Sequence, residues 1–100
     1  MERGERIRIR KLTPTTLEAE LVGEDHTIAN LVAKYALNTP GVKYAAYTIP
    51  HILVSNPVLR IVTEEGVNPL DALEEALKRV LEDIADLKKQ LREALGEEGA

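Results

Sequence analysis

The feature that most constrains this chain is a run of large apolar residues near its C-terminus. They recur at alternating intervals of three and four residues, at Leu70, Leu73, Leu77, Val80, Ile84, Leu87 and Leu91. This spacing predicts a helix with all of them on one stripe, in the a and d positions of a coiled-coil seam. A helix over residues 69 to about 95 would be roughly 40 Å long, whereas a compact domain of this size has a radius of gyration of only about 13 Å. The helix is therefore expected to project beyond its own domain, and its apolar stripe needs a partner.

Two N-terminal segments, residues 6–12 and 16–22, alternate between apolar and charged side chains. This period of two predicts half-buried strands, and the Thr-Pro-Thr turn between them predicts a hairpin. Opposite charges face each other if the register pairs Ile7 with Leu21, Arg8 with Glu20, Ile9 with Ala19 and Arg10 with Glu18. A basic patch for nucleic acid is the alternative interpretation of the arginines, but the acidic partners favour a neutralised strand face.

An amphipathic helix is predicted next, because large apolar residues and an alanine share one helical face at Ile28, Leu31, Val32, Tyr35 and Ala36. Asp25 or Thr27 is expected to cap its N-terminus, and the Asn-Thr-Pro-Gly sequence at residues 38–41 is expected to end it.

Residues 42–49 and 57–63 are predicted strands, and the first of these is expected to be central because it is apolar on both faces in places. The intervening loop, residues 50–56, carries Ile52, Leu53 and Val54, which fit either a docking surface or a loop folded back on the sheet. Asn68 and Pro69 are typical of a helix start, and Gly96 is expected to end the long helix.

The predicted order is ββαββα, which indicates an α+β fold. We expect a four-stranded antiparallel sheet with two amphipathic helices on one face, the C-terminal one long. One domain spans residues 1–100, with residues 1–5 and 96–100 frayed.

Composition argues against chemistry in this chain. The absence of cysteine excludes disulfides and thiolate sites. His26 and His51 lie in separate predicted loops without metal-ligand spacing, and Asp25 beside His26 is expected to be a capping carboxylate rather than part of a triad. No glycine pattern predicts a phosphate loop, and no apolar run approaches the length of a membrane span. Residues 64–100 hold 5 basic and 11 acidic side chains, which does not favour DNA or an anionic membrane as a partner. A non-enzymatic interaction domain without catalytic, metal or cofactor residues is expected.

Residues 23–51, GEDHTIANLVAKYALNTPGVKYAAYTIPH, contain a specific motif that opens with Asp25, His26, Thr27 and Asn30 and continues through a Pro-Gly turn and an Ala-Tyr strand. This segment closely resembles the signature of the small alpha-like subunits of archaeal DNA-directed RNA polymerase, the subunit L family. The later segment NPLDALEEALKRV resembles the start of the family's second helix. The resemblance extends over most of residues 17–95.

The resemblance implies a non-catalytic, cytoplasmic polymerase subunit that pairs with the larger alpha-like D subunit. The heterodimer would form the platform on which the large catalytic subunits assemble, with no cofactor and no direct contact to nucleic acid or membrane. The implied partner-binding residues lie on both helices: Ile28, Leu31, Val32, Tyr35, Leu73, Leu77, Val80, Leu81, Ile84, Leu87 and Leu91. The stripe up to about Val80 is expected to cover the chain's own sheet, and the part from Leu81 onward is expected to meet the partner. A stand-alone homodimeric helical module remains the alternative, because a self-complementary stripe and a stripe for a similar partner look alike.

Overall fold

The computed structural model describes residues 6–49 and 56–96. Its elements follow the predicted order: β1 (Ile7–Leu12), β2 (Thr16–Leu21), α1 (His26–Leu37), β3 (Val42–Thr48), β4 (Val58–Thr63) and α2 (Pro69–Ala94). The strands form one antiparallel sheet, and side chains of both helices pack on the same face of it, so the predicted α+β class is confirmed. The expected frayed ends at 1–5 and 97–100, and the loop at 50–55 that contains His51, lie outside the described residues.

The β1–β2 hairpin has the predicted register at one end and a different one at the other. Ile7 pairs with Leu21 and Ile9 with Ala19, but a bulge after Ile9 then sets Lys11 rather than Arg10 opposite Glu18. The predicted pairing of Arg10 with Glu18 is therefore wrong. A bulge places one extra residue in a strand, and here that residue is Arg10. The extra residue turns Leu12 to the helix side of the sheet, where its partner Leu17 is buried.

The sheet order is β1-β2-β4-β3, so β3 is an edge strand and its predicted central position is wrong. The central strands are β2 and β4, whose helix-side residues Leu17, Leu59 and Ile61 are completely buried. One face of β3 packs on α1, which explains its apolar residues on that side. On the other face the Tyr44 side chain is half exposed.

The core lies between this sheet and the two helices. Its buried residues are aliphatic, and they come from β2 and β4 on the sheet side and from both helices on the other side. The buried helix residues are mostly alanines, namely Ala29, Ala33 and Ala36 of α1 and Ala72 and Ala76 of α2. Small side chains let helix and sheet backbones approach closely, so the long helix is held tightly over its first three turns.

The connection from β4 to α2 determines where the long helix begins. The Thr63 hydroxyl donates a hydrogen bond to the Val67 carbonyl oxygen at 2.6 Å, and Thr63 is itself buried. Gly41, at the start of β3, lies against the same loop with a φ of +87°, and a Cβ atom there would come 2.8 Å from the Val67 methyl carbons. Glycine is therefore required at position 41 both for its backbone conformation and for space.

Candidate functional site: the projecting helix

Helix α2 begins as the sequence predicts. The Asn68 side-chain oxygen accepts hydrogen bonds from the backbone N–H groups of Leu70 at 2.8 Å and Asp71 at 3.4 Å, and Pro69 occupies the first helical turn. These bonds satisfy N–H groups that have no partner within the helix. The helix then runs for 26 residues to Ala94, and Gly96 follows it in a left-handed conformation.

The two halves of α2 have different surroundings. In the first half, Leu73 and Val80 are buried against the sheet together with the two alanines. In the second half, no residue from Leu81 to Gly96 is buried. The radius of gyration, 15.9 Å, exceeds the value of about 13 Å for a compact domain of this length, as a projecting helix requires. The expected division of the stripe near Val80 is therefore present only in part, because Leu73 and Val80 are buried but Leu70 and Leu77 are exposed.

The apolar surface of α2 is wider than the single seam predicted from sequence. Successive helical residues lie about 100° apart, so Leu77 and Leu81 lie about 60° and 100° around the helix from Val80. The core side of the first half is formed by alanines beside Leu73 and Val80, and not by Leu70 or Leu77, which remain exposed. The exposed large apolar residues of α2 and its C-cap are Leu70 (43%), Leu77 (40%), Leu81 (67%), Ile84 (52%), Leu87 (67%), Leu91 (59%) and Leu95 (73%).

The predicted face of α1 is divided between the core and the surface. Val32 is buried, Leu31 and Tyr35 are half-buried, and Ile28 is 41% exposed. The core face of this helix includes Ala29 and Ala33, which sequence reasoning missed because it counted large residues.

A hydrogen bond joins α1 to the base of the projecting half of α2. The Tyr35 hydroxyl donates to the Asp83 carboxylate at 2.6 Å. This bond, together with desolvation and the carboxylate charge, holds the pKa of Tyr35 above its ordinary value. One turn nearer the core, the Arg79 guanidinium donates to the Asn38 carbonyl oxygen at 3.5 Å. These contacts determine which flank of α2 is occupied by α1.

The family motif has a structural role at the start of α1. The Asp25 carboxylate accepts from the backbone N–H groups of Thr27 at 3.0 Å and Ile28 at 3.2 Å, so it is the helix cap. His26, Thr27 and Asn30 are exposed. Asp25 therefore acts as a capping carboxylate beside a surface imidazole, as expected.

The face of the sheet that carries no helix is covered by opposite charges. The Arg8 guanidinium lies 3.3 Å from the Glu20 carboxylate, and the Arg60 guanidinium lies 2.7 Å from the Glu18 carboxylate. The side-chain amide of Asn56 donates to Glu20 at 2.7 Å. That bond, followed by the charges of Arg8 and Arg10, lowers the pKa of Glu20. The interpretation of β1 as a neutralised strand face, and not a free basic patch, agrees with these contacts.

Sequence reasoning missed a second exposed apolar row, on β1. Ile7, Ile9 and Leu12 pair with buried residues of β2 and lie on the helix side of the sheet, yet they are 40%, 45% and 51% exposed. Neither helix covers β1 appreciably, because α1 packs on β3 and β4 whereas α2 packs on β4 and β2. The expected half-buried strand is thus exposed along its length.

Within residues 6–49 and 56–96, no group of three or more histidine or acidic residues is arranged to hold a metal ion. A search of the same residues finds no helix long and apolar enough to cross a membrane.

These features define a two-layer α+β domain whose main exposed apolar surface lies on a helix. Such a surface is typical of a protein that assembles through helix packing. The sequence model of the RNA polymerase Rpb3/Rpb11 dimerisation domain matches residues 16–90. The chain belongs to this family.

Individual relatives agree with this assignment. Subunit Rpo11 of the DNA-directed RNA polymerase of Methanocaldococcus jannaschii is 37% identical over 95 residues, which cover 87% of this chain and 96% of the relative. The corresponding subunit of Pyrococcus furiosus is 42% identical over 79 residues, 77% of this chain and 83% of its own length. The crystal structure of RNA polymerase subunit L from Thermoplasma acidophilum has the same fold, with a TM-score of 0.78 at 21% identity over 90% of this chain and 88% of that one. The resemblance to the small subunits of archaeal polymerase, rather than to catalytic subunits, is confirmed.

Proposed function

We propose that this chain forms a heterodimer with the larger alpha-like D subunit of an archaeal polymerase. The pair would act as the platform on which the large catalytic subunits assemble in the cytoplasm. The observation that carries the proposal is the apolar surface of α2 and its C-cap from Leu77 onward, where six large apolar residues are at least 40% exposed. A contiguous exposed apolar surface of this kind is typical of a permanent protein interface.

The energetic argument concerns the four residues Leu81, Ile84, Leu87 and Leu91. Each is more than half exposed in the isolated chain. Burying a Leu-sized side chain completely contributes roughly 1.5–3 kcal/mol, so each would contribute about 1–2 kcal/mol on association. Together they provide several kcal/mol, which supports an obligate rather than a transient complex.

The four residues Ile28, Leu31, Val32 and Tyr35 of α1 are proposed to complete the interface. Ile28 offers exposed surface, whereas Val32 is already buried and acts by supporting its neighbours. Among the proposed α2 residues, Leu73 and Val80 have the same supporting role and Leu77 is directly accessible.

Co-expression with the D-like subunit of the same organism tests this function. The wild-type chain is expected to elute with that subunit in a one-to-one complex. Ile84→Asp or Leu77→Asp is expected to abolish the complex, because each places a charge in an apolar contact. Lys89→Asp is the control, since it puts the same residue type on the opposite side of α2. Undiminished one-to-one elution of both stripe variants would contradict the proposed interface.

The same chromatography separates the alternative function. A stand-alone homodimeric module would elute as a stable dimer alone and would not take up the D-like subunit. That result would reject the heterodimer and retain the stripe as a self-association surface.

A further inference from the structure

Among the described residues, the last hydrogen bond that joins α2 to another element is made at Asp83. Its carboxylate accepts from the Tyr35 hydroxyl of α1 at 2.6 Å. The side-chain hydrogen bond further along, from Gln90 to Asp86, lies within α2 itself. No residue from 81 to 96 is buried. The Tyr35–Asp83 bond therefore lies at the boundary between the half of α2 that the core holds and the half that projects.

Tyr35 is well anchored on its own side of this bond. Its ring packs against the core cluster, and its backbone carbonyl oxygen accepts a hydrogen bond from the hydroxyl of the buried Thr39 at 2.9 Å. Because the ring is already held, the hydroxyl loses little conformational freedom when it binds the carboxylate. A hydrogen bond to an ionised acceptor is also stronger than one between neutral groups. Tyr35 can therefore restrain Asp83 although the bond lies at the surface.

The contacts beneath the first half of α2 leave the helix free to tilt unless a lateral contact opposes it. Ala72 and Ala76 are small, and Val80 is the last buried residue of the helix. Leu91 lies about 16 Å beyond Val80 at 1.5 Å per residue. A tilt of about 10° around Val80 would therefore move Leu91 by about 3 Å over that distance. Close-packed interfaces do not accommodate a displacement of this size without losing contacts.

We propose that the Tyr35–Asp83 hydrogen bond sets the angle at which the projecting half of α2 leaves the domain, which makes Tyr35 a positioning residue for partner binding. The part of the proposal that concerns binding rests on the proposed heterodimer, whereas the angle is a property of the isolated chain. Tyr35 then contributes to the interface through α2. The bond contributes little to the stability of the fold, because the buried residues of both helices keep their contacts when it is lost. Loss of the bond should therefore affect affinity and helix direction more than stability.

Paired spin labels on the isolated chain measure the angle directly. The chain contains no cysteine, so Lys43→Cys on β3 and Lys89→Cys on α2, both at exposed positions, attach one label each. With the labelled chain diluted in unlabelled chain, only distances within one molecule are read. The parent pair is expected to give a narrow distance distribution. Tyr35→Phe and Asp83→Ala are each expected to broaden it or displace it by about 3 Å.

Binding to the D-like subunit tests the consequence for the partner. Tyr35→Phe and Asp83→Ala are each expected to weaken binding about 5- to 10-fold, with little change in the urea midpoint. The double variant should bind no more weakly than either single variant, because both remove the same bond. The matched controls are Tyr44→Phe, which removes a hydroxyl from the opposite face of the sheet, and Asp86→Ala, which removes a carboxylate one turn further along α2. Both should remain within about 2-fold of wild type.

The outcomes separate the angle from the heterodimer. An unchanged distance distribution in both Tyr35→Phe and Asp83→Ala would overturn the proposal, whatever the partner does. Additive losses of affinity in the double variant would also overturn it, because the two side chains would then contact the partner independently. If the wild-type chain does not bind the D-like subunit, the heterodimer and the role in binding are both rejected, and the label distances still decide the angle.

Discussion

The division of α2 into a folding half and a projecting half predicts opposite effects for two leucine truncations. Leu73 is 4% exposed and belongs to the core cluster, whereas Leu87 is 67% exposed. Truncating a buried leucine to alanine costs about 2–5 kcal/mol, because transfer energy is lost and a cavity remains. Leu73→Ala is therefore expected to lower the free energy of unfolding by that amount. Leu87→Ala is expected to change it by less than about 0.5 kcal/mol, because alanine also has the higher helix propensity.

Urea unfolding of the isolated chain, followed by circular dichroism at several protein concentrations, measures both effects. With a slope of about 1–3 kcal/mol per molar urea for small proteins, Leu73→Ala should move the midpoint by about 1 M or more. Leu87→Ala should leave the midpoint in place. Binding to the D-like subunit should instead be sensitive to Leu87→Ala. This variant should lose about 1–2 kcal/mol of binding free energy, or roughly 5- to 30-fold in affinity. A destabilisation by Leu87→Ala as large as that by Leu73→Ala would refute the division at Val80.

Two further predictions concern the fold that supports the helix. Gly41→Ala should destabilise the chain by about 2–4 kcal/mol in thermal unfolding, since it adds a steric clash to the strain of a positive φ. Gly23→Ala is the control, because Gly23 has a φ of +78° and no atom lies within 4 Å of the added Cβ. It should show only the smaller cost of backbone strain. Equal costs would contradict the steric part. Glu20 has a pKa lowered from 4.5 by the Asn56 hydrogen bond and nearby arginines, so its stabilising contribution is present above that pH and is lost as the pH falls through the lowered pKa. The stability difference between wild type and Glu20→Gln should therefore be larger at pH 7 than at pH 3, and a difference independent of pH would contradict this assignment.

Local signals in the sequence were sufficient to predict the elements and their boundaries. Asn68-Pro69 and Asp25 carry the physical reason for a helix start in their own side chains, and both caps form as expected. The alternation in β1 and β2 likewise predicts the first three pairs of the hairpin, because the residue types on both faces agree.

The strand order and the bulge depend on contacts that local patterns do not contain. Whether β3 lies at the centre or the edge is decided by which strands the helices cover, and alanines and tyrosines suit either position. The bulge did leave one signal, because the apolar residues change from odd positions at Ile7 and Ile9 to an even position at Leu12. An unbroken alternation would have placed Leu12 on the charged face.

The candidate surface was predicted in position but not in width. The single stripe predicted from intervals of three and four combines two adjacent surfaces of α2. One is the core side, which is lined by alanines, and the other is the exposed side, which carries Leu77 and Leu81. The alanines at 72 and 76, four residues apart beside Leu73, were the available signal for the core side. The exposed row on β1 could not be foreseen, because its residue pattern is that of a strand covered by a helix, and only the tertiary structure shows that no helix lies over it.

The projecting half of α2 is stable enough to serve as a preformed surface because it continues a helix that the core already holds. An isolated helix of fewer than about 12–15 residues is marginal in water, since its first turn fixes several dihedral angles for one hydrogen bond. Here that nucleation is completed between Asn68 and Val80, where the cap and the buried alanines hold the helix. The Tyr35–Asp83 hydrogen bond then fixes the direction in which the helix leaves the domain. A partner therefore binds a surface whose backbone is already ordered, which reduces the entropy lost on association and leaves more of the apolar contact energy for affinity.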